Sequence, residues 1–212
     1  GLLGGSSDYG MSPKDKGAVY IKRAMLGWNA TPWLSVEAGR MKNPLYMVNS
    51  MVWDHDIVME GAQEKLNYKF SDNTTLFGVA GQWVYSGGGI QATNDVITGR
   101  QSMVYVFQGG LQQSFEKFIA KAAIGYYDYA GNAKNYNNYT PSIGDSAVTI
   151  SQGVNDLAIL DIPAEVNFMP AQTIGIRPYA EYAYNIKGSD RKNSAGANYA
   201  SLSNDDSAWL LG

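Results

Sequence analysis

Short turns near residues 31, 72, 115 and 170 alternate along this chain with long connections at 42–56, 86–100, 130–153 and 187–206. Between them lie segments of about 10 to 14 residues in which apolar and polar side chains alternate at period two, the pattern of a strand with two unlike faces. Strands joined this way run up and down beside one another, with every short turn at one end of the sheet and every long connection at the other. The chain therefore reads as all-β, antiparallel and up-and-down. Its strands are about twice the ordinary globular length of roughly 5 to 6 residues.

The pairs are read in order. Ala18 to Asn29 sets Ala18, Tyr20, Ala24, Leu26 and Trp28 against Arg23, Met25, Gly27 and Asn29, and Trp33 to Arg40 sets Leu34, Val36 and Ala38 against Ser35, Glu37 and Gly39. Ile57 to Phe70 sets Ala62, Leu66, Tyr68 and Phe70 against Gly61, Gln63, Lys65, Asn67 and Lys69. Thr74 to Tyr85 sets Phe77, Val79, Trp83 and Tyr85 against Gly78, Ala80 and Gln82. Gln101 to Gln113 (Met103, Tyr105, Phe107, Leu111) and Lys117 to Tyr129 (Phe118, Ala120, Ala122, Ile124, Tyr126) form a third pair. In the fourth, Asp156 to Phe168 sets Ala158, Leu160, Ile162, Ala164, Val166 and Phe168 against Asp161, Glu165 and Asn167. Met169 to Gln172 turns it into Thr173 to Ile186, with Ile174, Ile176, Ala180, Tyr182 and Tyr184 against Arg177, Glu181 and Asn185. Ser207 to Gly212 reads as a strand cut off just after it begins.

Strands of this length can cross a bilayer core at a tilt, which takes roughly 9 to 11 residues. Short turns at one end and long loops at the other are the layout of a transmembrane antiparallel up-and-down β-barrel. Aromatic placement agrees. Trp28, Trp33, Tyr68, Phe70, Phe115, Phe118 and Phe168 sit beside short turns, and Tyr20, Trp83, Tyr85, Tyr126, Tyr182 and Tyr184 near long loops, as in the two girdles of a membrane wall. The competing reading, a soluble β-sandwich binding module, expects shorter strands and a charged outward face. Here the polar face is largely Gly, Gln, Asn and Ser.

Composition narrows the function. Charged residues are 17% of the 212, below the roughly 25% of soluble domains, and a net charge of −3 without any Lys/Arg run offers no footprint for nucleic acid. With no cysteine there is no disulfide framework, thiolate metal site or Cys nucleophile. No apolar run reaches the 18 or so residues of a spanning helix, and Gly1 to Gly5 lacks the charged start of a signal peptide.

One connection departs from the rest. Residues 41–53 carry Met41, Leu45, Tyr46, Met47, Val48, Met51, Val52 and Trp53 without a persistent period, after the turn signal Asn43-Pro44. A segment this apolar folds back onto something, so the expectation is a loop tucked inside the barrel, with Asp54, His55 and Asp56 presented to water. The other long loops are rich in Gly, Asn and Ser.

Gly39-Arg40-Met41-Lys42-Asn43-Pro44, then Trp53-Asp54-His55-Asp56, then Glu60-Gly61 resembles the putative porin family of Gram-negative bacterial outer membranes. The layout is similar through Tyr184-Asn185 and the terminal Ala208 to Gly212. The resemblance implies a larger barrel of about 16 to 18 strands, of which about nine are visible here. Residues 1–212 then form a single β-barrel segment, incomplete at both ends, with no second domain.

The function expected is an outer-membrane porin giving passive diffusion of water, ions and small polar solutes. The alternative is a non-conducting outer-membrane barrel acting as a scaffold or partner-binding protein. Pore-lining candidates are Arg23, Glu37, Arg40, Gln63, Lys65, Lys69, Gln82, Gln108, Lys121, Asp161, Glu165, Arg177 and Glu181, since charges facing lipid at mid-bilayer cost roughly 2 to 4 kcal/mol for Arg or Lys. Both signs occur among them, so strong selectivity does not follow. Constriction-loop candidates are Asn43, Trp53, Asp54, His55 and Asp56. Lys22 and Glu64 fall on the lipid parity and are expected near a headgroup or a bulge. Pro163 and Pro178 are expected at edges or bulges because proline donates no ladder bond.

No catalytic residue, metal or cofactor is implied. A single His cannot assemble a zinc site without carboxylates, Asp54 and Asp56 lack the alternation of a Ca²⁺ loop, and Ser50 with His55 has no Gly-x-Ser-x-Gly elbow. Gly87-Gly88-Gly89 lacks the Lys-Ser/Thr of a phosphate loop. Expected partners are membrane lipid, small polar solutes and ions, and not nucleic acid. The general behaviour of porins adds a homotrimer, and the scaffold alternative an envelope protein partner.

Overall fold

The computed structural model describes residues 22–84, 103–130, 142–143, 146–147, 158–171, 174–187 and 206–212. Expectations placed on Ala18, Tyr20 and Tyr85, on Gly87 to Gly89, and on most of the loops at 86–100, 130–153 and 187–206 lie outside these residues.

Among the described residues there is no helix. The strands are β1 (Ala24–Thr31), β2 (Leu34–Lys42), β3 (Val58–Lys69), β4 (Thr74–Val84), β5 (Met103–Ser114), β6 (Phe118–Ala130), β7 (Ser142–Ile143), β8 (Ser146–Ala147), β9 (Ala158–Ala171), β10 (Ile174–Ile176), β11 (Tyr179–Asn185) and β12 (Ser207–Leu211). Ten of them form one antiparallel sheet in the order β1-β2-β3-β4-β5-β6-β9-β11-β12, with β10 also paired to β9, while β7 and β8 pair only with each other. Apart from β7 and β8, which lie between β6 and β9 in the chain, and β10, which precedes β11 beside β9, sheet neighbours are sequence neighbours; this is the up-and-down topology expected, with β1 and β12 as its edges.

The short turns close as polar tight turns do. Phe70 and Ser71 N–H groups both donate to Thr74 O, at 2.9 and 3.1 Å, and Phe115 N donates to Phe118 O at 2.8 Å. The fourth hairpin departs from expectation: β9 continues through the predicted turn to Ala171, and the returning strand is split by Arg177-Pro178. Pro178 has no N–H to give the ladder, but its carbonyl still accepts from Val166 N at 3.0 Å. Pro163 is expected at an edge or a bulge. Ala122↔Ala164 and Gly125↔Asp161 instead hold one register on both sides of it, so the ladder loses pairings locally without slipping.

Register assigns the two faces. Glu37, Gln63, Gly81, Val106, Tyr127, Ile159 and Asn185 are successive cross-strand partners and share one face. The segment after β2 packs on this face, so that Met41, Leu45, Trp53, Met59, Val79, Trp83, Val104, Val106, Tyr127 and Tyr129 make one buried cluster. The opposite face presents large apolar groups outward, with Leu26 at 83% and Trp209 at 72% exposure. Phe107, Leu111, Ile124, Ile162 and Tyr182 are exposed beside them. A wall this apolar on its outside has no solvated face of the kind a sandwich requires.

One strand has its faces reversed relative to the sequence reading. In β4, Phe77, Val79 and Trp83 point to the loop-bearing face, and Leu76, Ala80 and Gln82 point away. The physical reason is the loop: its apolar residues need an apolar floor, and β4 supplies it. Near these rings the backbone is bare. A Cβ on Gly110 would lie 2.1 Å from the Phe77 ring, and one on Gly125 or Gly81 would fall within 3 Å of Tyr127 or Trp83 atoms. Aromatic rings lying over strand glycines let the floor stay thin.

Gly39 and Gly61 are direct partners across β2 and β3, with φ of 124° and 144°. L side chains seldom adopt such values, and a Cβ on Gly61 would stand 2.1 Å from Gln82 O. The two glycines let the sheet deform locally, immediately before the chain leaves β2 for the loop.

Candidate functional site

The site begins at Asn43. Its side-chain oxygen accepts from Leu45 N at 3.0 Å, an Asx turn that Pro44 reinforces and that aims the chain back across the sheet. Asn43 is buried, as are Leu45, Val48 and Trp53.

Two aromatic residues fix the segment. Tyr46 is held through its backbone by one side chain: Tyr46 N donates to Gln108 Oε1 at 2.8 Å and Gln108 Nε2 donates to Tyr46 O at 2.9 Å. Its ring meets Phe77 edge-on at 5.5 Å, and Lys121 Nζ stands 4.2 Å from the ring centroid. Burial, aided by the nearby Glu165 charge, holds the Tyr46 phenol above its usual pKa, so it stays a neutral donor, here to Lys121 O at 3.4 Å. Trp53 packs edge-on against Trp83 and Tyr127, at 6.1 and 5.7 Å, and stacks on Tyr129 at 6.3 Å. Between these anchors Arg177 Nη2 donates to Val48 O at 3.3 Å and Asn49 Nδ2 donates to Tyr179 Oη at 3.3 Å. The segment thus spans the floor from β4 to β11.

The remaining polar groups of this face lie beside the loop or beneath it. Glu37 accepts from Gln63 Nε2 at 2.7 Å and pairs with Lys65; Glu165 pairs with Arg177 and is the cross-strand partner of Lys121. Asp161 and Glu181 are almost wholly buried, Asp161 accepting from Tyr127 Oη at 2.9 Å. Open recesses of about 540 and 860 Å³ flank the loop on its β1–β3 side, the first reaching Tyr46, Lys65 and Lys121 and the second Arg23, Glu37 and Lys42.

The structure therefore brings Arg23, Glu37, Gln63, Lys65, Gln108, Lys121, Asp161, Glu165, Arg177 and Glu181 to the loop-bearing side. Lys69 is on the same face but pairs with Asp72 in the turn at 2.9 Å. Arg40 and Gln82 are corrections. Both point to the opposite face, where Arg40 pairs with Glu60 at 3.4 Å. Arg40 follows the even parity of β2, and Gln82 follows the reversed parity of β4. Glu64 also faces outward, from the middle of β3 in an unbroken register, rather than at a bulge or strand end.

Among the loop candidates, Asn43 and Trp53 are buried, while Asp54, His55 and Asp56 stay exposed in a turn closed by Asp56 N donating to Asp54 Oδ1 at 3.0 Å. Among the described residues no group of three His, Cys, Asp or Glu is arranged to hold a metal ion. Sequence reasoning missed the receiving floor of Phe77, Trp83, Tyr127, Tyr129 and Tyr179. Its one advance signal was the loop's own hydrophobicity, which demands an apolar counterpart.

No curated protein and no solved structure matches the chain. The model of the family described as putative porin matches residues 6–159, well over half of the 212 residues. That span takes in the first six strands of the sheet, Gly39-Arg40 and the whole docked loop, and the chain belongs to the putative porin family.

Proposed function

We propose that the chain forms wall and constriction of an outer-membrane porin, through which water, ions and small polar solutes diffuse passively. The observation that carries this reading is the contrast between the two faces of one sheet. The outward face is largely apolar over strands of 11 to 14 residues (β3 to β6 and β9), long enough for a bilayer core. The inward face carries hydrogen-bonded polar groups and an apolar floor on which the loop docks. Family membership supports a channel rather than an enzyme and a place in the Gram-negative outer membrane.

The loop from Lys42 to Asp56 narrows the passage by lying on the wall instead of projecting outward. Its role is steric and electrostatic, and no bond is made or broken. Full-length protein reconstituted in planar bilayers should give discrete conductance steps, and deletion of residues 45–52 should enlarge them. Folded protein that inserts without any steps would sink the pore reading and leave a non-conducting scaffold. Steps of unchanged size after the deletion would place the loop outside the conducting path.

A further inference from the structure

In the two ion pairs that lie along the strands of the loop-bearing face, the acids are recessed and the bases presented. In the Glu37–Lys65 pair the carboxylate side chain is 12% exposed and the ammonium side chain 36%, and in the Glu165–Arg177 pair the values are 10% and 47%. Asp161 and Glu181 are withdrawn further, at 1% and 2%. Each ion pair is neutral as a whole, yet an ion passing over it meets the cation first.

The recesses flanking the loop repeat the asymmetry. The charged residues around the one reaching Tyr46 are Lys65 and Lys121, with no acid, and those around the other are Arg23, Lys42 and Lys65 against Glu37 alone. The acids with free access, Asp54 and Asp56 in the loop beyond Trp53 and Asp72 in the turn beside Lys69, line neither recess.

We infer that the passage beside the loop favours small anions over cations, with Lys65 and Arg177 as the groups that set the preference. This rests on the pore reading above and adds the charge class of the solute. Coulomb's law supplies the scale. A unit charge at about 4 Å in water is worth about 1 kcal/mol, or about fivefold in local ion concentration, before screening by salt. The ligand class is a small anion such as chloride, a short carboxylate or inorganic phosphate. Presented cations need no rigid pocket to attract any of these.

The test is the reversal potential of the full-length protein in a planar bilayer under a KCl gradient. Chloride permeability several-fold above that of potassium is expected. The double variant Lys65→Gln/Arg177→Gln should bring the ratio to unity or below, because it leaves Glu37 and Glu165 without their covering cations. Glu37→Gln should move it the other way, so the inference remains open to refutation even if the double variant does not fold. Glu64→Gln, on the outward face, should leave the ratio unchanged.

A wild-type ratio at or below unity would overturn the inference while leaving the pore reading intact. Potassium preference abolished by Asp54→Asn/Asp56→Asn would assign selectivity to the mouth instead. Absence of any conductance would overturn the pore reading itself, and the inference with it.

Discussion

The floor beneath the docked loop and the strip beside it lie on the same side of the same sheet, yet they are built from opposite chemistry. The floor is Val79, Trp83, Val104, Val106, Tyr127 and Tyr129, closed from above by Leu45 and Trp53. The strip is Glu37, Gln63, Lys65, Lys121, Glu165 and Arg177, tied by ion pairs and the Gln63–Glu37 hydrogen bond, with Glu37, Lys65 and Lys121 lining the open recesses. One parity can therefore serve two ends. Beneath Trp53 the inward face acts as the core of a folded domain, and along the strip it carries the polar and charged groups that edge the loop, with Lys121 and Arg177 touching it. Substitutions in the floor should accordingly be read in stability, and substitutions in the strip in charge preference.

Trp53→Ala tests the floor most severely. It should cost about 3 to 5 kcal/mol, as large-to-small changes in packed clusters do, and release the loop, seen as earlier unfolding in detergent together with noisier, larger conductance. Trp53→Phe should cost far less, since it keeps an apolar ring and removes an indole N–H that has no acceptor among the described residues. Equal losses in the two variants would mean that the indole group itself, rather than the burial of a ring, holds the loop.

Gln108→Leu comes next. It strands the N–H and C=O of Tyr46, which Gln108 satisfies at 2.8 and 2.9 Å, and should cost about 1 to 3 kcal/mol in denaturant unfolding. Because Gln108 bridges floor and loop, this variant should also alter conductance.

In the strip, Arg177→Gln should cost about 1 to 2 kcal/mol, because the guanidinium is 47% exposed but also donates to Val48 O of the loop. Its principal effect should be on reversal potential. A large stability loss without a selectivity change would erase the distinction between floor and strip. The smallest effect belongs to Arg40→Gln, whose partner Glu60 is exposed on the outward face. About 0 to 1 kcal/mol and unchanged conductance are expected.

Much of this architecture was legible from alternation because most strands have one face whose chemistry is unmistakable. β9 is the clearest instance, with Ala158, Leu160, Ile162, Ala164, Val166 and Phe168 opposed to Asp161, Glu165 and Asn167. β4 was misread because apolar residues can face lipid or a docked loop, and period two does not say which. The answer was present across the tight turn at 71–73. Pairing Lys69 with Thr75 sets Leu76 beside Tyr68, so Phe77 must turn inward and Gln82 outward.

The docking of the loop was foreseeable in kind from its hydrophobicity, but its partners were not. Tyr46 and Gln108 are 62 positions apart, and Asn49 and Tyr179 are 130 apart. Such contacts exist only once the sheet has brought β5 and β11 beneath the same segment.

The glycines that lie close to aromatic rings carry a consequence for how such a passage can be tuned. Gly110 beneath Phe77, Gly125 beside Tyr127 and Gly81 beside Trp83 act as missing shims: a methyl at any of them meets a ring, not open space. The ring must then rise, and the loop resting on it rises too. On the proposed pore reading, the aperture would thus drift through changes buried under the floor, while every residue that a solute touches stays the same.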